Sequence, residues 1–301
     1  MHQDQNEQPA PAQSAEPVRR AAEIEEPTNL WLIHPIAGRL TLLFARWHIR
    51  PNAVSVAGML CGVLAGMAYS QYRDVRCTIA GFLLMIAWHV MDGADGQLAR
   101  LTHSQSPFGK VLDGACDHVT FTAVYLGFAL TLSGQYGGWV WAVLALAGAC
   151  HAVQAAAYEA QREQYNAWGW GRTPIAPPPP AAAPGQAQRL ADLLHRFYVR
   201  VQLMVGGVSG DFHAGLAAIL SAQPEHAGAI RRRYREAFAP ALRRWSVLSS
   251  NYRTLGIFLC ALAKAPLVYF WFEIIGFSAI LAILLARQSA RCARFLHSLQ
   301  A

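Results

Sequence analysis

Four aspartates near the middle of the sequence are the residues best suited to chemistry. Asp92 and Asp95 are three positions apart, and Asp113 and Asp117 are four positions apart. Residues at these spacings share one face of a helix, so each pair would point its carboxylates in one direction. Carboxylates gathered in this way can hold divalent cations or take a proton from a substrate.

The aspartates are embedded in an unusually apolar chain. Its 301 residues are 54% hydrophobic and only 14% charged, with a mean hydropathy of +0.21, whereas charged residues make up about a quarter of a soluble domain. This composition excludes a water-soluble enzyme, a collagen-like chain and a wholly disordered chain. The sequence predicts an all-α, polytopic membrane protein.

Hydropathy predicts six transmembrane helices, each close to the ~20 residues that cross ~30 Å of hydrocarbon. The predicted spans are residues 52–70, 77–101, 108–132, 137–158, 255–272 and 274–286. Residues 29–49 mix apolar side chains with His34, Arg39, Arg46 and His48, which predicts an N-terminal amphipathic helix in the membrane interface.

The remaining segments divide the chain into four regions. Residues 1–28 are polar and predict a disordered tail, and residues 29–158 hold the interfacial helix and the first four spans. Residues 159–251 predict an extramembrane loop with a proline run at 177–180 and an amphipathic helix near 187–205. Residues 252–301 hold the last two spans and a basic C-terminus.

The positive charge indicates topology. Nearly all of the net charge of +7 comes from arginine, because Lys110 and Lys264 are the only lysines. With both termini inside, the outer loops hold only Arg73 and Arg76, as the positive-inside rule requires. We therefore expect a cytoplasmic active site in a bacterial inner membrane, and no nucleic-acid partner. The six scattered cysteines indicate neither a disulfide framework nor a zinc site.

This topology brings the four carboxylates to one depth. A rise of 1.5 Å per residue from Arg76 places Asp92 about 24 Å across the bilayer, near the inner surface. Asp113 begins the next span on that same side, so two antiparallel helices bring both pairs together. All-oxygen ligands select Mg²⁺, Mn²⁺ or Ca²⁺. The alternatives are helix caps, interhelical salt bridges, or a transporter whose carboxylates bind a cation for transport.

Residues 92–117 read DGADGQLARLTHSQSPFGKVLDGACD, which is D-x2-D-G-x2-A-R-x8-G-x3-D-x3-D without departure. In this motif the chain resembles the CDP-alcohol phosphotransferase (phosphatidyltransferase) family. The resemblance also includes Pro51 and Asn52, which precede the first span, and the arrangement of six spans. It does not extend to residues 1–28 or 159–251.

The resemblance implies a role for each matching residue. Asp92, Asp95 and Asp113 would hold two divalent metals, Mg²⁺ or Mn²⁺, and Asp117 would contribute a ligand and act as general base. The remaining implied contacts to the CDP-linked lipid are Asn52, Ser55, Gly96, Ala99, Arg100 and Ser106. Physically, Gly93, Gly96 and Ala99 would let the nucleotide approach the helix backbone, and Arg100 would supply a cation for phosphate. Asn52, Ser55 and Ser106 also suit helix capping.

The implied reaction is transfer of a phosphatidyl group from a CDP-linked lipid, with CDP-diacylglycerol as the expected donor, to an alcohol, releasing CMP. The reverse assignment, CDP-choline or CDP-ethanolamine with diacylglycerol as acceptor, uses the same motif and stays open. So do a pseudoenzyme that serves as a lipid-binding scaffold and a homodimeric state. Lys264, expected inside the fifth span, is the candidate acceptor-binding residue, because a mid-span lysine is functional by default.

Overall fold

The computed structural model describes residues 23–172 and 210–300, and the regular structure of these residues is helical, with no strand. A π-helical turn (Asn29–Ile33) leads into the first helix. The helices are α1 His34–Arg46, α2 Pro51–Tyr69, α3 Val75–Leu101, α4 Pro107–Tyr136, α5 Trp139–Trp170, α6 Gly210–Ala222, α7 Ala227–Trp245, α8 Ser250–Leu262, α9 Pro266–Trp271 and α10 Phe277–Gln300. A second π-turn (Phe272–Gly276) joins α9 to α10.

Five described helical runs are long and apolar enough to cross a membrane. They are Pro51–Tyr69, Val75–Leu101, Val111–Tyr136, Trp139–Trp170 and Pro266–Gln300. The first four coincide with the spans predicted from hydropathy between residues 52 and 158. The prediction of an all-α, polytopic membrane protein is confirmed.

The last two spans differ from the prediction. The expected break at residue 273 is wrong, because the π-turn carries one helical run from Pro266 to Gln300. The break lies at residues 263–265, where Lys264 has a φ of 58° and Pro266 starts the next helix. This leaves α8 with 13 residues, about 20 Å, which is less than the hydrocarbon thickness. Hydropathy could not locate the break, since apolar residues flank it on both sides.

Close approach of α2 and α4 forms the centre of the bundle. A Cβ added to Gly62 would overlap Thr120, one added to Gly66 would overlap the backbone of Ala123, and one added to Gly127 would overlap the carbonyl of Gly66. Membrane helices gain their attraction from van der Waals contact, which small residues allow. The two backbones therefore touch at Gly66, and the close approach covers about two turns of α4.

A buried ion pair joins the C-terminal helices to α5. Arg253 and Glu273 are both 0% exposed, with Nε and Oε1 3.2 Å apart. Arg253 also donates to Gln154 Oε1 at 2.6 Å, and Tyr269 donates to Glu273 Oε2 at 2.6 Å. A buried charge pair needs such additional hydrogen bonds to offset the loss of water. The network fixes α5, α8 and α9 in one arrangement.

Beyond the bundle, the chain forms a second helical unit, here called the basal layer (158–170, 210–245 and 281–300). Its aromatic core includes Tyr165, Tyr234 and Phe238, and Tyr234 stacks on Phe238 at 4.2 Å. Arg231 and Arg235 donate hydrogen bonds to the last carbonyls of α5. The predicted loop at 159–251 is thus partly helical and packed. The predicted helix near 187–205 and the proline run lie outside the described residues.

Residues 23–28, here called the strap, pack between α5, α7 and α8. Ile24 and Glu26 are buried, and Glu26 accepts hydrogen bonds from Ser249 at 2.8 Å and Asn251 at 2.7 Å. Burial raises the pKa of the Glu26 carboxyl, while these two hydrogen bonds act in the opposite direction. The predicted disordered tail is therefore wrong for residues 23–28. Residues 1–22 lie outside the described part of the chain.

We predict that Gly127→Ala destabilises the bundle, because the new methyl group meets the Gly66 backbone, which cannot move aside as a side chain can. Overpacking of this kind typically costs about 1–3 kcal/mol. Gly134→Ala in the same helix is the matched control, since nothing lies within 4 Å of its added Cβ. Thermal unfolding in detergent should show a lower midpoint for Gly127→Ala alone. Equal midpoints would contradict the contact.

Candidate metal centre and active site

Three carboxylates converge where α3 ends and α4 begins. Ligand oxygens of Asp92, Asp95 and Asp113 all lie within 4.8 Å of one another. Asp95 is buried, and Asp92 and Asp113 are partly buried. Asp92 and Asp95 share a face of α3, and Asp113 lies in the second turn of α4. The end of the bundle that holds them is called the Asp92 end below.

Asp117 lies one helical turn beyond Asp113 on α4. It is not part of the group of three ligands, but all four aspartates act electrostatically on the thiol of Cys116. The fourth carboxylate is therefore beside the cluster rather than inside it. This is the arrangement that a group exchanging a proton near bound metal would need.

Ser55 and Arg100 provide polar contacts to the cluster. Ser55 of α2 is buried and donates a hydrogen bond to Asp95 Oδ2. The Arg100 guanidinium folds back over Gly96, with Nη1 3.5 Å from where a Cβ would lie, and it acts electrostatically on Asp95. A Cβ on Gly96 would be in ordinary van der Waals contact with this guanidinium, and Ala99 is partly buried on the same helix.

Asn52 and Ser106 meet at the start of α4. Asn52 Oδ1 and Ser106 Oγ lie 3.5 Å and 3.2 Å from the place of a Cβ on Gly109. Ser106 caps α4 by accepting a hydrogen bond from the Gly109 amide at 3.0 Å. The structure thus brings Asn52, Ser106 and Gly109 together at the Asp92 end. Capping accounts for the observed contact of Ser106, and its hydroxyl stays exposed enough for a second one.

Two residues lie elsewhere than expected. Gly93 faces α1, where an added Cβ would lie 3.4 Å from Ala37 and Ile33, so it does not face the aspartate cluster. Lys264 is exposed in the turn between α8 and α9. The expectation of a lysine inside the fifth span is wrong, because α8 ends at Leu262.

Lys264 is also at the far end of the bundle. Phe82 stacks on Phe258 and His89 hydrogen-bonds Thr254, so α8 runs antiparallel to α3. Counting the helical rise from these pairs places Lys264 about 20 Å from the level of Asp92. The structure therefore separates this residue from every other predicted site residue.

Several residues that the sequence analysis did not assign hold α3 in place. His89 Nε2 lies 2.9 Å from Thr254 Oγ1, one turn before Asp92. On the side of α3 that packs against α1, Thr41 donates to the Ala94 carbonyl at 3.2 Å, and Gln97 contacts His34 at 3.3 Å. These contacts link helices far apart in sequence, and no local pattern in the sequence reveals them.

The carboxylate oxygens of this cluster suit a hard divalent cation. Three carboxylates supply oxygen ligands in a group tight enough to share an ion, and among the described residues this is the one cluster of at least three potential metal ligands. Oxygen ligation by carboxylates is typical of Mg²⁺, Mn²⁺ and Ca²⁺ sites. The residues at hand therefore suit the metals that the motif implies.

Comparison with known proteins gives one family. Residues 48–195 match the profile of the family described as CDP-alcohol phosphatidyltransferase. A choline/ethanolaminephosphotransferase 2 of Arabidopsis thaliana is 27% identical over 124 residues, 38% of this chain and 32% of the relative.

Two animal proteins match to a similar extent. A cholinephosphotransferase 1 of Gallus gallus is 28% identical over 109 residues, 34% of this chain and 32% of the relative. An ethanolaminephosphotransferase 1 of Homo sapiens is 26% identical over 125 residues, 37% of this chain and 30% of the relative. The match spans about a third of the length of these curated relatives.

We predict that Asp92→Asn and Asp113→Asn each weaken binding of Mn²⁺ at least tenfold, because a neutral amide replaces a charged ligand. Titration of the purified protein, followed by the electron paramagnetic resonance of free Mn²⁺, measures this directly. Asp74→Asn is the matched control, since Asp74 is an exposed N-cap that Asn replaces well. An unchanged titration curve for Asp92→Asn or Asp113→Asn would remove that residue from the metal site.

Proposed function

We propose that the protein transfers a substituted phosphate group from a CDP-linked alcohol to the hydroxyl of an acceptor, releasing CMP, because residues 48–195 match the profile of the CDP-alcohol phosphatidyltransferase family. The observation that carries this proposal is the carboxylate cluster of Asp92, Asp95 and Asp113, which the complete motif forms at one end of an apolar bundle. Cation transport needs neither the glycines nor the Ala-Arg pair between the aspartates.

Asp92, Asp95 and Asp113 would hold Mg²⁺ or Mn²⁺, two ions in all, and when bound these neutralise the pyrophosphate of the donor. Arg100, fixed over Gly96, binds a phosphate oxygen with its planar guanidinium. Asn52, Ser55, Ala99 and Ser106 surround the cytidine diphosphate.

The acceptor oxygen forms a bond to the β-phosphorus, and the bond from that phosphorus to the bridging oxygen of CMP breaks. The acceptor proton passes to Asp117, which lies beside the ligand cluster and within one turn of Asp113. The released CMP carries away the electron pair of the broken bond, so the protein itself is neither oxidised nor reduced.

Two donors fit this chemistry. CDP-diacylglycerol suits a site at the level of the interfacial helix, because its acyl chains stay in lipid while its head group reaches the aspartates. The second candidate is CDP-choline or CDP-ethanolamine, with diacylglycerol as acceptor. The names of the matching relatives favour this second assignment. In both cases the Asp92 end faces the cytoplasm.

The test is release of CMP by the full chain in proteoliposomes with Mn²⁺. One set of reactions contains CDP-diacylglycerol with pooled soluble alcohols, and the other contains diacylglycerol with CDP-choline or CDP-ethanolamine. CMP in either set supports the proposal and identifies the donor. Absence of CMP in both sets, with every divalent metal tried, would overturn it.

We predict that Asp117→Asn lowers the rate of CMP release by at least a hundredfold while Mn²⁺ binding changes less than threefold. General-base catalysis typically contributes 10²–10⁴-fold, and three metal ligands remain. Asp211→Asn, an exposed aspartate of α6, is the matched control and should keep full activity. If Mn²⁺ binding is lost together with turnover, Asp117 is a metal ligand and its role as base falls.

The position of Lys264 gives a further prediction. Lys264→Ala should leave the KM of the acceptor unchanged within twofold, because the residue lies in an exposed turn about 20 Å from the aspartate level. The KM values for donor and acceptor are measured separately in the CMP assay. A selective increase in the acceptor KM would return Lys264 to the acceptor site.

A further inference from the structure

Four arginines form a cluster that the proposed reaction does not use. Arg287, Arg291 and Arg294 lie four and three positions apart on α10, so they share one face. Arg244 at the end of α7 completes what we call the arginine patch. Arg244, Arg287 and Arg294 are exposed, and Arg291 is half-buried.

Packing between α7 and α10 brings Arg244 to the other three. Phe295 of α10 contacts Tyr234 at 5.6 Å and Phe238 at 5.4 Å. Nearer the end of α7, Trp245 and Gln288 line the same small cavity. The helices therefore run antiparallel, and Arg244 lies opposite Arg291. Arg244 and Arg294, and more weakly Arg287, accordingly act electrostatically on the Arg291 guanidinium.

No carboxylate compensates this charge in the described part of the chain. The sequence contains no Asp or Glu after Glu273, and none of the ion pairs among the described residues includes a patch arginine. Within the described residues, Arg291 and Arg294 donate hydrogen bonds to their own helix, at Gln288 Oε1 and the Ala290 carbonyl.

Arginines elsewhere in the structure are used differently. Arg253 is buried in an ion pair, and Arg231 and Arg235 donate hydrogen bonds to the end of α5. These contacts explain why those arginines are present. The patch arginines instead direct several uncompensated charges toward the surface.

The exposed face above the patch is apolar. Phe272, Ile275 and Ile283 are 49%, 64% and 52% exposed along the helical run that leads to Arg287. At 100° per residue along α10, Ile283, Arg287 and Arg294 fall within one narrow sector of the helix. Ile283 and Arg287 are only about 6 Å apart along the axis. A lipid with its acyl chains on this stripe would have its phosphate beside Arg287.

The patch also begins near the level of the interfacial helix. Gln288, next to Arg287, lines a cavity together with Gln161 of α5. One turn earlier on α5, Tyr158 donates to Glu26 of the strap, just before the interfacial segment. Arg287 therefore lies at about the depth of lipid headgroups, with Arg291 and Arg294 one and two turns further out.

We propose that the arginine patch and the apolar stripe above it form a binding site for an anionic phospholipid of the inner leaflet. Guanidinium groups bind phosphate oxygens in a bidentate manner. The patch repels the ammonium group in the headgroup of a zwitterionic lipid. An anionic lipid has no such group, or has a second negative group, so the patch favours it. This site is independent of the proposed catalytic function.

The test uses spin-labelled phosphatidylglycerol and phosphatidylcholine with the full chain in bilayers of neutral lipid. The fraction of motionally restricted label gives the affinity of each lipid for the protein surface. We expect the preference for phosphatidylglycerol to fall at least fivefold in the triple variant Arg287→Gln, Arg291→Gln, Arg294→Gln, since each basic residue near the surface attracts anionic lipid. The corresponding triple Lys variant keeps the charge and should keep most of the preference.

The matched control is the double variant Arg73→Gln, Arg76→Gln. These two exposed arginines lie near the start of α3, away from the Asp92 end. Their replacement should not change the lipid preference. Circular dichroism establishes that each variant is folded. Equal preference in the Gln triple and in the wild type would overturn the proposal. So would displacement of the labelled lipid by millimolar inorganic phosphate, because the site would then recognise a small anion rather than a lipid.

Discussion

Repulsion among carboxylates at the edge of an apolar bundle is the constraint on which the rest of the structure depends. Asp92, Asp95 and Asp113 bring their oxygens within 4.8 Å of one another, an arrangement that drives the helices apart unless they are held together. Charged groups in this setting are costly, and at mid-bilayer each would cost roughly 2.5–3.5 kcal/mol on insertion scales. The protein therefore needs both counter-charges at the site and a framework that does not yield.

The framework surrounds α3 on several sides. The α2 and α4 backbones touch through Gly66 and Gly127, α1 hydrogen-bonds the Ala94 carbonyl, and α8 meets His89. The Arg253–Glu273 pair then fixes α8 to α5 and α9. Each of these contacts is a hydrogen bond, an ion pair or a close backbone approach. Such contacts fix the relative position of two helices more narrowly than apolar contact alone. Lateral packing thus sets where the aspartates lie.

Sequence reasoning predicted those features that depend on local periodicity. The helical class, the first four spans and the convergence of Asp92, Asp95 and Asp113 follow from hydropathy, helical spacing and antiparallel connection. The break at Lys264 did not, because a turn flanked by apolar residues has no signal in a hydropathy average. Pro266, which favours a helix start, was the available local signal. Contacts such as His89 to Thr254 join residues 165 apart and depend on tertiary packing.

The strap has a consequence for the order of events during synthesis. Glu26 bonds to Ser249 and Asn251, which are 223 and 225 residues later in the chain. At translation rates of about 5–20 residues per second, these partners emerge roughly 10–45 s after the strap. The strap must therefore be among the last segments to dock, and it closes the basal layer only when α8 has been made. Docking of the strap thus reports that nearly the whole chain has been delivered to the membrane.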